Sequence, residues 1–351
     1  MKYTTFGNRT GLRVSEIALG TSNFGTRWGT GADEATSARI FTAFAEAGGT
    51  FIDTADTYQQ GESETYLATL LAADRDHFVL ASKFTFGTAG QTGVSKTGNS
   101  RKTITYALES SLKRLNTDHL DLYWAHAPDS VTPLDEVVDT LDDLVRAGKI
   151  LHGGLSNFPA WQVSAAIAGH QRTPVIATQF EYSLAARDGE RDLLPMAEHL
   201  GIGAAVYSPL GGGLLTGKYR TSAEGRLTTM NSIIQREDTA QKTATVDELL
   251  TIGRQTGIEP AVLAIAWLLE RGRRSATAIV PIIGPRTPDQ LDAYLKALAV
   301  PFDQDQYERL ETVSAPALGI PHDGAHAIRD SVLGGQGNNF IIRRSREAAA
   351  N

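Results

Sequence analysis

The sequence predicts an α/β chain folded as a (β/α)8 TIM barrel, with an N-terminal β-hairpin ahead of it and a C-terminal extension behind. Three observations carry that expectation. Eight short apolar runs recur along the chain. Stretches with helical spacing of apolar residues alternate with them. No Pro/Gly/Ser linker or shift in composition divides the 351 residues, so one domain over 1–351 is expected, its barrel covering about 15–314 and its extension 315–351. Alternating strands and helices imply parallel strands joined by right-handed crossovers, and a count of eight favours closure over an open sheet.

The elements follow in order. "KYTTFG" and "LRVSE" read as a hairpin around "NRTG". The first four barrel runs are "IALGT" (17–21), "GTFIDT" (49–54), "HFVLASKF" (77–84) and "LDLYWAH" (120–126). The second four are "KILHGGLSN" (149–157), "VIATQF" (175–180), "IGAAVYSPL" (202–210) and "TAIVPIIG" (277–284). Between them, "SARIFTAFAEAGG", "RKTITYALESSLKRL", "PLDEVVDTLDDLVRAGK" and "PAVLAIAWLLERG" have helical spacing, several closing on Gly or Lys, and Pro133 suits a first turn. Three polar segments break the rhythm: 87–100, 224–241 and everything after 315. Loops of that length in a compact domain read as functional lids or loose chain.

Composition narrows the function. The chain has no cysteine, which excludes disulfides, thiolate nucleophiles and Cys-ligated zinc, and fits a reducing cytoplasm. Its N-terminus lacks the apolar core of a secretory signal, and no window reaches the roughly 18 apolar residues of a membrane span. A net charge of −7 gives no reason to expect nucleic acid or anionic lipid. A small-molecule substrate is the expected partner.

The active site of such a barrel lies at the carboxyl ends of its strands. Asp53 and Tyr58 follow the second run, Lys83 closes the third and His126 closes the fourth. Each has a plainer reading: a turn cap, a half-buried surface tyrosine, a structurally paired lysine, a core histidine. Their meeting at consecutive strand ends favours chemistry. A phenol with an ordinary pKa near 10 donates poorly at neutral pH, and an adjacent ammonium is expected to lower that value. Lys83 supplies that charge, Asp53 holds Lys83, and His126 reaches the substrate oxygen beside Tyr58. This set protonates a carbonyl oxygen as a hydride arrives, and the hydride must come from a nicotinamide.

The second half of the chain suits that cofactor. Ser156, Asn157 and Gln179 end the fifth and sixth runs as hydrogen-bonding groups for a carboxamide. Tyr207 offers a ring for stacking, and Ser208, Leu210 and Gly212 offer a backbone cradle for pyrophosphate. After the eighth run, Arg286 can grip a phosphate and Thr287 can cap the next helix. Phe24, Trp28, Phe84 and Trp124 lie near the strand-end bowl and are expected to form an apolar substrate wall, or else to serve as ordinary packing.

These residues carry a resemblance. "FIDTADTYQQGESE", "ASKF", "DLYWAHAPD", "VRAGKILHGGLSNF", "TQFEYSL", "YSPLGGGLLTGKY" and "IIGPRTPDQL" resemble, in order from about residue 3 to 314, the successive signatures of the aldo-keto reductases. The resemblance implies an NAD(P)H-dependent carbonyl reductase without a metal, in which Asp53, Tyr58, Lys83 and His126 form the catalytic tetrad and Tyr58 is the general acid. It implies that Gly20, Thr21, Ser156, Asn157, Gln179 and Tyr207 line the cofactor site together with Ser208, Leu210, Gly212, Gly284, Arg286 and Gln290. Arg286 would meet the 2′-phosphate, favouring NADPH over NADH. The chain departs from the pattern at Tyr294, where an asparagine usually reaches the adenine. It departs again at His152 and Gly153, which suggest a looser fifth strand, and in the irregular tail beyond "PALGIPHDGAHAIRD".

Competing readings are weaker. "GGLLTGK" has the spacing of a phosphate-binding P-loop, but Tyr219 stands where Mg²⁺ binding needs Ser or Thr. Clustered ligands for a metal hydrolase are missing from the strand ends, and Asp53 has no evident second carboxylate for glycosidase chemistry. Regulatory subunits of potassium channels resemble the same family, so the alternative is a non-catalytic NADP(H)-binding subunit.

Overall fold

A computed structural model describes residues 1–88, 93–170, 173–220, 235–336 and 339. Strands β1 (Tyr3–Thr5) and β2 (Arg13–Ser15) pair antiparallel, as the hairpin reading predicts. Eight parallel strands then close a barrel: β3 (Ala18–Gly20), β4 (Phe51–Asp53), β5 (Val79–Phe84), β6 (Leu120–Ala125), β7 (Ile150–Ser156), β8 (Val175–Glu181), β9 (Gly203–Tyr207) and β10 (Ile279–Ile283). Each falls within one of the eight apolar runs, save that β8 extends one residue past its run. β10 pairs with both β9 and β3, which closes the circle.

Helices separate the strands: α1 (Glu34–Glu46), α2 (Glu62–Leu71), α3 (Arg101–Leu115), α4 (Leu134–Arg146), α5 (Ala160–Ala168), α6 (Leu193–Leu200), α7 (Ala240–Thr256) and α8 (Pro260–Arg274). After β10 come α9 (Pro288–Leu295), α10 (Gln304–Val313) and α11 (His322–Val332). Their starts are written in the sequence. Asp33, Ser100, Thr239 and Thr287 each accept a backbone N–H of the following first turn through the side chain. Pro133 stands at the N-cap of α4, just ahead of the first turn the sequence suggested for it.

Two apolar layers result. Outer strand residues such as Leu19, Ile52, Leu80 and Tyr123 pack under the helices. Inner residues, among them Ala18, Phe51, Ala81, Leu122 and Val280, fill the barrel. Phe6, carried by the hairpin, plugs the amino-terminal end, its ring 5.3 Å from that of Phe51. The opposite end is left to polar side chains.

Strand β7 has a register shift against β8 between Gly153 and Gly154, at the place where the sequence suggested a looser strand. Gly154 has a packing reason: a Cβ there would lie 2.3 Å from the Trp124 ring. Trp124 therefore lies across the barrel interior in the space that glycine leaves. Of the segments read as lids or loose chain, residues 89–92, 224–234, 337–338 and 340–351 lie outside the described residues. Among the described residues no helix is long and apolar enough to cross a membrane.

Candidate active site

Side chains alternate along a strand, so the last inward residue of each barrel strand faces the open end. For β4 that residue is Asp53 and for β5 it is Lys83. Both are buried, and Lys83 Nζ donates to Asp53 Oδ2 at 2.5 Å. The same ammonium donates to Thr54 O at 2.8 Å and to Tyr58 OH at 3.1 Å. Its three N–H groups are thus all engaged, which fixes the amine and points one N–H at the phenol. Gln179 Nε2 donates to the other Asp53 oxygen, Oδ1, at 2.9 Å. The glutamine expected to meet a carboxamide therefore also braces the carboxylate.

Tyr58 lies half-buried, its ring 4.7 Å from Lys83 Nζ. Burial pushes the phenol above its ordinary pKa, while the Lys83 charge pulls it down without prevailing. The sequence expectation of a lowered value is corrected on this point: the dry surroundings outweigh the ammonium, and the phenol stays protonated at neutral pH. For Lys83 itself burial works downward, but Asp53 and Tyr58 together more than offset it and hold the ammonium above its ordinary range. His126 stands edge-on to Tyr58 with ring centroids 6.0 Å apart. Burial, and then the Lys83 charge, hold its imidazole well below the usual histidine pKa, so it is neutral at pH 7. The geometry brings all four residues of the sequence-predicted tetrad together.

The tetrad opens into a cavity of about 750 Å³. Its wall runs from Phe86 and His126 past Asn157 and Gln179 to Tyr207. It continues along the β9 loop through Ser208, Leu210 and Gly212, then reaches Gly284, Arg286 and Gln290 at the start of α9. Asn157 ties neighbouring strand ends together: its Nδ2 donates to His126 O at 2.9 Å, and its Oδ1 accepts from Tyr207 OH at 2.8 Å. The β9 loop turns through Ser208, Gly211, Gly212 and Gly213, all with positive φ. At the far end Thr287 caps α9, and Gln290 Oε1 accepts from Arg286 N at 2.8 Å.

Some expected residues do not reach this cavity. Thr21 and Ser156 are fully buried behind it, Thr21 taking a hydrogen bond from Ser63 Oγ at 2.8 Å. Phe24, Phe84 and Trp124 are also fully buried, so the substrate wall expected of them is not found. Strand parity turns Phe84 outward onto Tyr123, whereas Trp124, inward like its register partner Lys83, is covered by its packing in the barrel interior beside Gly154. Trp28 is 43% exposed at the rim, edge-on to Tyr58 at 6.2 Å.

Other lining residues escaped the sequence reading. Phe86, three residues past Lys83, lines the cavity and packs on His126 at 4.7 Å. Lys218 lines it as well, although "GGLLTGK" drew attention only as a false P-loop. Behind Phe86, Thr85 Oγ1 donates to Asn99 Oδ1 at 2.6 Å, and Asn99 Nδ2 donates to Ala127 O at 2.8 Å. That clamp joins the loops after β5 and β6, and a polar Thr and Asn in loops give no sequence signal of it. No group of three or more metal-ligating side chains occurs among the described residues.

Comparison with known proteins gives a consistent result. Residues 16–315 match the model of the aldo/keto reductase family. The chain is 35% identical over 325 residues to the uncharacterized oxidoreductase YrpG of Bacillus subtilis, covering 89% of this chain and 96% of that protein. It is 34% identical to the norsolorinic acid reductase stcV of Emericella nidulans, over 89% of this chain and 81% of the relative. It is 32% identical to the putative aryl-alcohol dehydrogenase AAD14 of Saccharomyces cerevisiae, over 89% and 86% respectively.

Proposed function

The chain belongs to the aldo/keto reductase family of oxidoreductases, and from that premise we propose that it reduces an aldehyde, ketone or sugar carbonyl to the alcohol, reversibly, with NADPH. The observation that carries this reading is the Lys83 clasp, in which one buried ammonium engages Asp53, Thr54 and Tyr58 under an open cavity.

The cavity suits a dinucleotide in size and chemistry. Tyr207 presents a ring beside the tetrad, the β9 loop offers backbone groups for pyrophosphate, and Arg286 with Lys218 provides cations for phosphate. Bound there, reduced nicotinamide supplies the hydride. Tyr58 donates its proton to the carbonyl oxygen, and its raised pKa keeps that proton in place until charge builds on the oxygen. Lys83 stabilises the phenolate left behind, Asp53 keeps Lys83 charged, and neutral His126 steadies the developing alkoxide by a hydrogen bond.

One relative is named for aryl alcohols, and in this chain Trp28 stands edge-on to the acid while Phe86 lines the cavity against His126. We therefore read the substrate as an aromatic carbonyl compound, acted on in the cytoplasm.

The test is NADPH oxidation with a reactive aromatic aldehyde. Tyr58→Phe should bind NADPH within about twofold of wild type while kcat falls about 10²–10⁴-fold. A mutant that keeps wild-type turnover removes Tyr58 from the acid role. A wild type that binds NADPH and turns over no carbonyl would favour the regulatory subunit.

A further inference from the structure

Directly after Tyr58, two non-glycine residues lie in the left-handed region: Gln59 at φ 48° and Gln60 at φ 59°. Side chains adopt that conformation at a cost, and it persists where surrounding contacts enforce it. Gln60 is exposed, so nothing about its side chain explains the turn. Gln59 is 1% exposed, and its amide is fully occupied. Its Oε1 accepts from Trp28 N at 2.9 Å, while its Nε2 donates to Ser22 O at 3.1 Å and to Thr30 O at 3.0 Å. Glu62 adds to the same grip, its Oε2 accepting from Thr26 N at 2.7 Å and Arg27 N at 3.3 Å.

The segment 22–31 is thereby hung on the turn that carries the acid. Gly25 sits so close that a Cβ there would lie 2.6 Å from Gln59 Cβ, and its φ of +124° is one that L side chains rarely adopt. What the grip presents is Trp28, edge-on to the Tyr58 ring at 81°. Only a primary amide supplies one acceptor and two donors in this arrangement, and a carboxylate of the same shape has no donor.

We propose that Gln59 is a positioning residue that sets substrate specificity: it holds Trp28 beside Tyr58, so that a flat aromatic carbonyl compound lies against the indole with its oxygen toward the phenol. The inference rests on the reductase reading for its substrate and on the structure alone for the clasp.

Four proteins test it: wild type, Gln59→Glu, Gln59→Gly and Gln60→Gly. Gln59→Gly relieves the backbone while deleting the amide, so a loss of function in it does not come from left-handed strain at that position. Gln60→Gly relieves the backbone and leaves the amide in place. With NADPH present, both Gln59 variants should raise KM for 4-nitrobenzaldehyde about tenfold, with KM for propanal and the Kd of NADPH within about twofold. Hydrogen exchange over residues 22–31 should quicken in both, and Gln60→Gly should match wild type in every measurement. Unchanged exchange in Gln59→Glu, or equal KM losses for the two aldehydes, overturns the inference. A wild type that reduces neither aldehyde defeats the reductase reading, while the exchange data still decide whether Gln59 clasps the loop.

Discussion

Asp56 shows how a residue that looks like an ordinary loop carboxylate can be a stability device. It is buried beside the tetrad, its backbone N–H donates to Lys83 O at 3.2 Å, and its Oδ1 has no hydrogen-bond partner. Burial first, and then the charge of Glu64, push its carboxyl up to about 7. Glu64 is itself buried, with Ser82 Oγ donating to it at 2.6 Å and Arg114 Nε at 2.7 Å. Between the unfolded value of 3.8 and about 7, the folded chain therefore keeps a proton that the unfolded chain releases. This favours folding at low pH and is lost as pH rises through 7. Asp56→Asn should stabilise the protein at pH 8 by on the order of 2–4 kcal/mol and leave it little changed at pH 4. Urea unfolding at the two pH values checks this, and an equal effect at both would remove the buried-proton explanation. In "DTADTYQQG" the sequence marks Asp53 and Tyr58 by their distance from a strand, but it does not mark Asp56 or Gln59. Their roles come from burial under other elements, which spacing does not reveal.

At the level of elements, the strands were legible because each parallel barrel strand is apolar on both faces and stands out as a short run. The strand-end positions followed, since parity alone carries Asp53 and Lys83 inward. The same parity turns Phe84 away from the bowl, and packing beside Gly154 buries the inward Trp124, so nearness to a strand end does not amount to lining the bowl. The far end of the cavity was legible through the start of α9, where "GPRTP" places Arg286 before the cap Thr287. Its other wall was not, because Glu259 and Lys218 arrive from the ends of α8 and the β9 loop, whose path depends on packing. We expect Arg286→Ala to weaken NADPH about 10–100-fold and NADH only about twofold, since a guanidinium facing a 2′-phosphate makes charge-assisted hydrogen bonds that a 2′-hydroxyl cannot match. Fluorescence titration with both cofactors checks it, and equal losses would take the 2′-phosphate away from Arg286.

At the scale of the whole molecule, the question is how the chain beyond the barrel is held without intruding on the site. Arg187, in the loop after β8, answers it. Its Nε and Nη2 pair with the two carboxylate oxygens of Glu190 at 2.6 and 2.9 Å. Nη2 also donates to Glu311 Oε2 at 2.7 Å, and Nη1 donates to Glu311 O at 2.9 Å and Ser314 Oγ at 2.8 Å. The guanidinium lies 5.2 Å from the Trp267 ring, whose Nε1 donates to Glu311 Oε1 at 2.9 Å. One side chain thus joins the β8 loop, α8, α10 and Ser314, the residue just before the extension. From there α11 is tied back by Arg191 Nη2 to Ile320 O at 3.1 Å and by His322 to Asp192 at 3.3 Å, and among the described residues none past Lys296 lines the cavity. This supports our proposal that the extension belongs to one domain with the barrel. Arg187→Met keeps the length of the side chain but leaves the Glu311 carboxylate, 24% exposed, without its ion-pair partner, and leaves Glu190, 12% exposed, with Arg271 alone at 3.7 Å. Breaking a buried network on one side costs about 3–5 kcal/mol, far more than a surface pair. Urea unfolding should show that loss, while the folded mutant should bind NADPH within about twofold of wild type because the network and the cofactor share no side chain. A loss below about 1 kcal/mol would mean the charges are solvated and the extension is held by something else. A full loss together with weakened NADPH binding would mean that the extension shapes the site after all.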